Sequence, residues 1–354
     1  MKKFKTFLGL LLTVFVLSAC SNQGKRDLRE KAYIKETFTM GTYVKITSYD
    51  KGHEKVIQKA LEIAEEYDKK TTVNQSGSEI DNINAQAGIK PVKVSKDVYD
   101  LLKTAYYYSD KQTGFDMTIG ALTSLWHIGF DDAKKPSQVE IDSVLPVLSS
   151  QFVSFDDNKQ TVFLTEKGVK LDLGAIAKGY VADRMVAYLK KNGLTTAIVD
   201  LGSSSLYLIG NSPRGEKTPW AVGIKDPNKE VSKQIGIIEA ENQSVATSGI
   251  YERYLEVDGQ VYPHILDPKT GYPFDNDIQS VTIVSKKSVD GDALSTTIFA
   301  LGTKKGYNYI NQMKDVEALF VNKANEVYLT ENLADKFALN EASGYKLGNV
   351  SDLK

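Results

Sequence analysis

Three short stretches hold the residues of this chain best suited to chemistry: Asp292-Ala-Leu-Ser-Thr296, Gly174-Ala-Ile-Ala-Lys178-Gly179 and His264-Ile-Leu-Asp-Pro-Lys-Thr-Gly271. Asp292 and Thr296 are four residues apart, so on a helix they share a face. A carboxylate and a hydroxyl, completed by a backbone carbonyl and phosphate oxygens, suit Mg2+. The same spacing also suits a capping aspartate followed by an ordinary helix threonine, which on spacing alone is the commoner arrangement. Asp290 is a competing carboxylate two residues earlier. The glycine-bounded turn before Lys178 lies between an expected strand and an expected helix. Free N–H groups at a helix start, with a lysine beside them, favour an anion such as phosphate. An ordinary tight turn would use glycine equally well. His264 stands in a loop stiffened by Pro263, Asp267, Pro268 and Gly271, where it could act as a general base or be merely structural. Metal ligand, phosphate cradle and titratable imidazole are together the parts needed to cut a pyrophosphate.

Further marked stretches are Met40-Gly41-Thr42, Gly114-Phe-Asp116-Met-Thr118 with Trp126, Gly202-Ser-Ser-Ser205 and Thr247-Ser248-Gly249-Ile-Tyr251-Glu-Arg253. Small residues and hydroxyls let a flat ligand approach the backbone. Tyr43, Phe115, Trp126 and Tyr251 could stack on a heterocycle, although core packing explains any one of them as well. No G-x-S-x-G elbow surrounds Ser203 to Ser205, which argues against a serine hydrolase. Three histidines and one cysteine are too few for a His/Cys zinc site. A net charge of −1 gives nucleic-acid binding no electrostatic support.

The elements that must position these residues follow from periodicity. Met40 to Thr47 alternates as a strand, and Glu54 to Lys70 is an amphipathic helix burying Val56, Ala60, Ile63, Ala64 and Tyr67. Asp97 to Ser109 is a second helix, and Phe152–Phe155 and Thr161–Leu164 flank a hairpin-like turn. Val169 to Leu173 reads as a strand, Lys178 to Lys191 as a helix and Ala197 to Leu201 as the next strand. Asp292 to Leu301 is expected to form a short helix ended by Gly302, followed by strands at Val316 and Glu326. Strands and helices mix without strict alternation, so the fold class is α+β with antiparallel character, in two lobes.

The first nineteen residues form a targeting segment. Lys2, Lys3 and Lys5 precede an apolar run, Phe7 to Val16, that is short for a membrane span. Leu17-Ser-Ala-Cys20 resembles a bacterial lipobox, and Cys20 is the only cysteine. The expected layout is a lipoprotein signal peptide at 1–19, a lipid-anchored linker at 20–30 and a catalytic domain at 31–354. The chain would then be held by lipid (diacylglycerol, palmitate) on Cys20 at the extracytoplasmic face of the cell membrane.

In this order, the stretches resemble the ApbE family of FAD:protein FMN transferases, which includes exported flavin-trafficking lipoproteins. The runs that match are Phe115 to Trp126, Leu171 to Asp183, Ala246 to Gly249, His264 to Pro273 and Asp292 to Thr296. The resemblance implies a two-lobed T-fold-like architecture with mixed and antiparallel sheets, flanking helices and an active site in the cleft between lobes. It implies Mg2+ on Asp292, Thr296 and the backbone carbonyl of Ala175, and catalytic roles for His264, Asp292 and Lys178. FAD would be contacted by Met40, Gly41, Thr42, Asp116, Thr118, Lys178, Thr247, Ser248, Gly249 and His264. Two departures stand out: Ser203-Ser204 replace glycines paired in many relatives, and Pro263 stands where many carry a second histidine. The implied reaction is Mg-dependent transfer of FMN from FAD to a Thr/Ser hydroxyl of an exported acceptor, electron-transfer proteins among them, with AMP released. The competing readings are an FAD pyrophosphatase giving FMN and AMP, and a non-catalytic FAD-binding lipoprotein.

Overall fold

Apolar residues on alternate positions of Thr42–Asp50 bury Val44 and Ile46 on one side, while Tyr49 packs on the other. That two-sided demand governs the whole chain. The computed structural model describes residues 27–228 and 233–353, so the targeting segment and Cys20 lie outside the described residues. Its centre is a nine-stranded sheet. In spatial order the strands are Leu28–Thr39, Thr42–Asp50, Ala197–Leu201, Ser205–Ile209, Ser244–Gly249, Ile278–Ser285, Val316–Asn322, Glu326–Leu329 and Lys346–Leu347. Every pairing is antiparallel except the last. The first strand begins at Leu28, inside the stretch expected to be linker.

Helices Glu54–Thr71, Ala177–Lys191 and Ser288–Ile310 cover one face of this sheet. Val44, Ile46, Val199, Val281, Ile283, Ala318 and Phe320 meet Leu61, Ala64, Val181, Met185, Leu294 and Ile298 there. On the other face a three-stranded sheet of Trp220–Lys225, Gln234–Ala240 and Phe337–Leu339 packs against Leu208, Val245, Val284, Leu319 and Val321. Val316–Asn322 is therefore buried along its whole length, as a strand covered on both faces must be. A satellite core of Leu122, Trp126, Ile141, Tyr262 and Leu266 joins helices Gly120–Trp126 and Gln138–Val144 to the hairpin Tyr254–Val257 and Gln260–Pro263. The α+β class with antiparallel character is borne out.

Three expectations need correction. Met40-Gly41 is not strand but the two-residue turn between the first two strands, both residues in the left-handed region (φ 55 and 69). Val169 to Leu173 makes no ladder; Lys170 forms a single bridge with Ile119. Its polar groups are met elsewhere. Leu171 N–H donates to Asn84 Oδ1 (2.7 Å), Asn84 Nδ2 donates to the Leu171 carbonyl (3.1 Å), and Asp172 N–H donates to the Met117 carbonyl (2.9 Å). The helix holding Asp292 starts at Ser288, four residues before the expected start; it stops, as expected, at Gly302, whose backbone (φ 75, ψ 172) is not helical, and a second helix runs on to Ile310. Among the described residues, no helix is long and apolar enough to cross a membrane.

Candidate active site

Two helices hold each other by their ends. The first turn of Ser288–Ile310 lacks a local side-chain cap. Its free N–H groups are instead taken by Asp183 of the helix Ala177–Lys191: Ser288 N–H donates to Oδ1 (2.8 Å) and Val289 N–H to Oδ2 (3.1 Å). In return, Asp292 reaches the start of Ala177–Lys191, where Gly179 N–H donates to its Oδ2 at 2.6 Å. Asp292 is thus not a cap of its own helix but a residue of its second turn. Gly179 makes the clasp possible, since a Cβ there would lie 2.3 Å from the Ser288 carbonyl oxygen.

The clasp leaves Asp292 9% exposed. Burial raises its pKa, against the Lys178 charge, the Gly179 N–H and the Ser205 hydroxyl, which favour the carboxylate. A carboxylate so buried is short of compensating charge. Thr296 lies one turn along the same helix, half-buried, and the backbone of Gly174 and Ala175 is exposed at the mouth of the neighbouring turn. Asp172 fixes that turn, accepting from Gly174 N–H (2.8 Å) and from Thr123 Oγ1 (2.7 Å). Lys178 Nζ points back to the Gly174 carbonyl (3.4 Å). Among the described residues no three His, Cys, Asp or Glu side chains cluster to hold a metal. Asp292, Thr296 and the Ala175 carbonyl offer only oxygen donors, the donor chemistry that Mg2+ prefers.

His264 is set by its own backbone. Its N–H and its Nδ1 both face the Arg253 carbonyl, each at 3.1 Å. A carbonyl can only accept, so Nδ1 carries the proton and Nε2 keeps a free lone pair. Burial lowers the imidazole pKa to about 4, helped by the charges of Arg253 and Lys178 and opposed by the Arg253 carbonyl. Glu252 beside it is raised to about 6 by burial, against Lys178, Lys225 and Arg253, with Asp292 adding to the rise. Both side chains keep solvent contact, Glu252 more than His264. The loop after His264 is braced from below: Trp126 Nε1 donates to the Gly271 carbonyl (2.8 Å), and Gly271 N–H to the Asp267 carbonyl (2.8 Å).

The remaining candidates join one continuous set. Thr39 Oγ1 and Met40 N–H both donate to Asp68 Oδ2 (2.8 Å each), holding the strained Met40-Gly41-Thr42 turn. Thr42 packs on Gly202, where a Cβ would meet Thr42 Oγ1 at 2.3 Å. The Ser204 carbonyl accepts from Thr247 N–H (2.7 Å), and Ser248 and Ser295 share a hydroxyl hydrogen bond (2.8 Å). Ser295 Oγ in turn donates to the Asp292 carbonyl (2.7 Å). Asp116 accepts from Thr118 N–H and Oγ1 (2.8 and 2.6 Å), and Met117 ties that turn to Asp172. Ser203 takes a left-handed φ of 61, with its N–H donating to Asp200 Oδ1 (2.7 Å).

Other candidates fall elsewhere. Asp290 accepts from Tyr108 OH (2.6 Å), away from Asp292. Phe115 and Trp126 are core residues, and Tyr43 stands on the exposed end of the first hairpin. Sequence reasoning placed Gly179 in a phosphate turn and singled out none of Asp172, Asp183 and Glu252. Gly179 is marked only by its place after Lys178, and Asp183 by its place on the same helix.

The profile of the ApbE family matches residues 40–320. An FAD:protein FMN transferase of Klebsiella pneumoniae is 36% identical over 320 residues, spanning 90% of this chain and 97% of that protein. One from Treponema pallidum is 32% identical over 358 residues, spanning 97% and 98%. The crystal structure of the ApbE protein of Thermotoga maritima superposes with a TM-score of 0.78 at 32% identity, covering 86% of this chain and 99% of that one.

Proposed function

The chain belongs to the ApbE family, and from that premise we propose that it transfers the FMN half of FAD to a hydroxyl of an acceptor protein, with Mg2+ required and AMP released. The observation that carries the reading is the clasp. It buries Asp292 against Gly179 N–H, where the Lys178 charge acts on it, so that a cation-seeking carboxylate and a phosphate-seeking ammonium lie together at one helix start. Asp292, Thr296 and the Ala175 carbonyl would hold the Mg2+, which when bound supplies charge neutralisation for the diphosphate.

The rest is done by the chain itself. Lys178 favours the phosphate charge that develops as the bond to AMP breaks. The stretches Met40–Thr42, Asp116–Thr118 and Thr247–Gly249 orient the flavin nucleotide. A Thr or Ser oxygen of the acceptor attacks the FMN phosphorus, and its proton passes to His264 Nε2, which is neutral and free to receive it. The P–O bond to AMP breaks, and the acceptor keeps FMN as a phosphoester. Cys20, outside the described residues, would anchor the enzyme by lipid at the outer face of the membrane, where exported acceptors are met.

The test is incubation of the full chain with FAD, Mg2+ and an exported candidate acceptor, with and without EDTA. Expected is a gain of FMN mass on the acceptor together with AMP, both lost in EDTA and in Asp292→Ala. Free FMN with AMP and an unmodified acceptor would establish a pyrophosphatase instead. FAD returned intact would leave a carrier, and full transfer by Asp292→Ala would remove Asp292 from the reaction.

A further inference from the structure

The helix backbone next to Asp292 rests on the central sheet. A Cβ on Gly291 would lie 2.9 Å from the Ala246 Cβ, so the helix backbone just before Asp292 rests on Ala246. In the sheet register Ala246 stands directly opposite Ser205. Along Ser205–Ile209, Tyr207 and Ile209 join the helix-side core and Leu208 the opposite one, so Ser205 also faces the helices. Ser205 is 0% exposed, and its hydroxyl closes no hydrogen bond of full geometry. A buried hydroxyl left so is rare enough to require a reason.

We propose that Ser205 is a positioning residue of the cation site, its hydroxyl donating to the Asp292 carboxylate so that the carboxylate's remaining lone pairs are turned toward the bound divalent ion. The inference rests on the reading of Asp292 as a magnesium ligand. Gly179 N–H already fixes Oδ2 from the side of Ala177–Lys191. Ser205 approaches from the sheet, and its hydroxyl already favours the charged form of the carboxylate without closing a full hydrogen bond. Two donors from different elements define the plane of the carboxylate; one leaves it free to rotate. Outer hydrogen bonds of this kind typically govern metal affinity about 10-fold or more.

The experiment is Mg2+ titration calorimetry on the full chain, with melting measured in EDTA. It compares the parent with Ser205→Ala, Ser205→Cys, Ser244→Ala and Asp292→Asn. Ser244 is the control, because it is equally buried and unpartnered under the same helix, 3.9 Å from a Cβ on Gly291. Expected for Ser205→Ala is a melting temperature in EDTA no lower than the parent's, since an unpaired buried hydroxyl is removed, and a Mg2+ affinity weakened about 10-fold. Ser205→Cys, a near-isostere with a weak donor, falls between. Ser244→Ala keeps parental affinity. Parental Mg2+ affinity in both Ser205 variants, with binding lost in Asp292→Asn, overturns the role of Ser205 alone. A fall in the EDTA melting temperature that accounts for the lost affinity would make Ser205 a structural residue and overturn it too. Parental affinity in Asp292→Asn overturns the metal reading beneath it.

Discussion

His264 is useful to a phosphoryl transfer only if it is neutral and its free nitrogen faces the reacting hydroxyl. Burial keeps the ring neutral, and the Arg253 carbonyl, by holding the proton on Nδ1, leaves Nε2 as the nitrogen able to accept one. The sign of the pH effect follows. A folded pKa of about 4, below the ordinary 6.5, means the unfolded chain takes up this proton first as pH falls. His264 therefore withdraws stability between those two values and contributes none of the loss above them. With only three histidines in the chain, the imidazole carbon-bound protons can be followed one by one by NMR. The His264 resonance, assigned by its absence in His264→Gln, is expected to titrate near pH 4 in the nucleotide-free protein. It should move upward when anionic FAD is added, because nearby negative charge favours the imidazolium. An ordinary midpoint near 6.5 in the free protein would show that the ring is not held in the cleft wall.

The two helices that clasp each other show why the chemistry was easier to read than its framework. The i,i+4 spacing of Asp292 and Thr296 was legible because it is local. The start of their helix was not, since its cap is Asp183, 105 residues earlier, and no capping residue precedes Ser288. The alternation of Val169 to Leu173 promised a strand, but Asn84 and Met117 take its hydrogen bonds and no strand pairs with it. Gly179 looked like part of a phosphate turn. Its role is instead steric, since it admits the Ser288 carbonyl. Gly179→Ala tests this at the scale of the element. The added methyl group must push the helices apart, at a cost of about 1–3 kcal/mol. It should also displace Asp292 from its N–H partner, and misplacement of about 1 Å at a catalytic centre costs on the order of 100-fold in rate. Denaturant melts and FMN-transfer rates of this variant are the measurements. Transfer at the parental rate would mean the clasp does not position Asp292.

At the scale of the whole molecule, the site exists only because the sheet order brings distant segments together. Met40–Thr42 lies at the end of the first hairpin, Thr247–Gly249 in a middle strand, Gly174–Lys178 at a helix start and His264 after a peripheral hairpin. Asp292 is hydrogen-bonded to Gly179, next to the Gly174–Lys178 turn, and through Ser295 to Ser248, while Lys178 acts electrostatically on both Asp292 and His264. A dinucleotide laid across these segments must stabilise them as one unit. Hydrogen exchange can see this, because surface turns open locally and exchange fast unless a ligand holds them. Ligand at about 100 times its dissociation constant stabilises by about 2.7 kcal/mol, enough to slow exchange roughly 100-fold where opening breaks the contact. With FAD and Mg2+, the backbone amides of Met40–Thr42, Gly174–Lys178, Thr247–Gly249 and the His264–Gly271 loop should slow together. The exposed amides of Lys346–Leu347, on the far edge of the sheet, should not. Protection confined to one of the four segments would place the nucleotide outside this cleft, because no other feature of the fold ties those four turns to a single event.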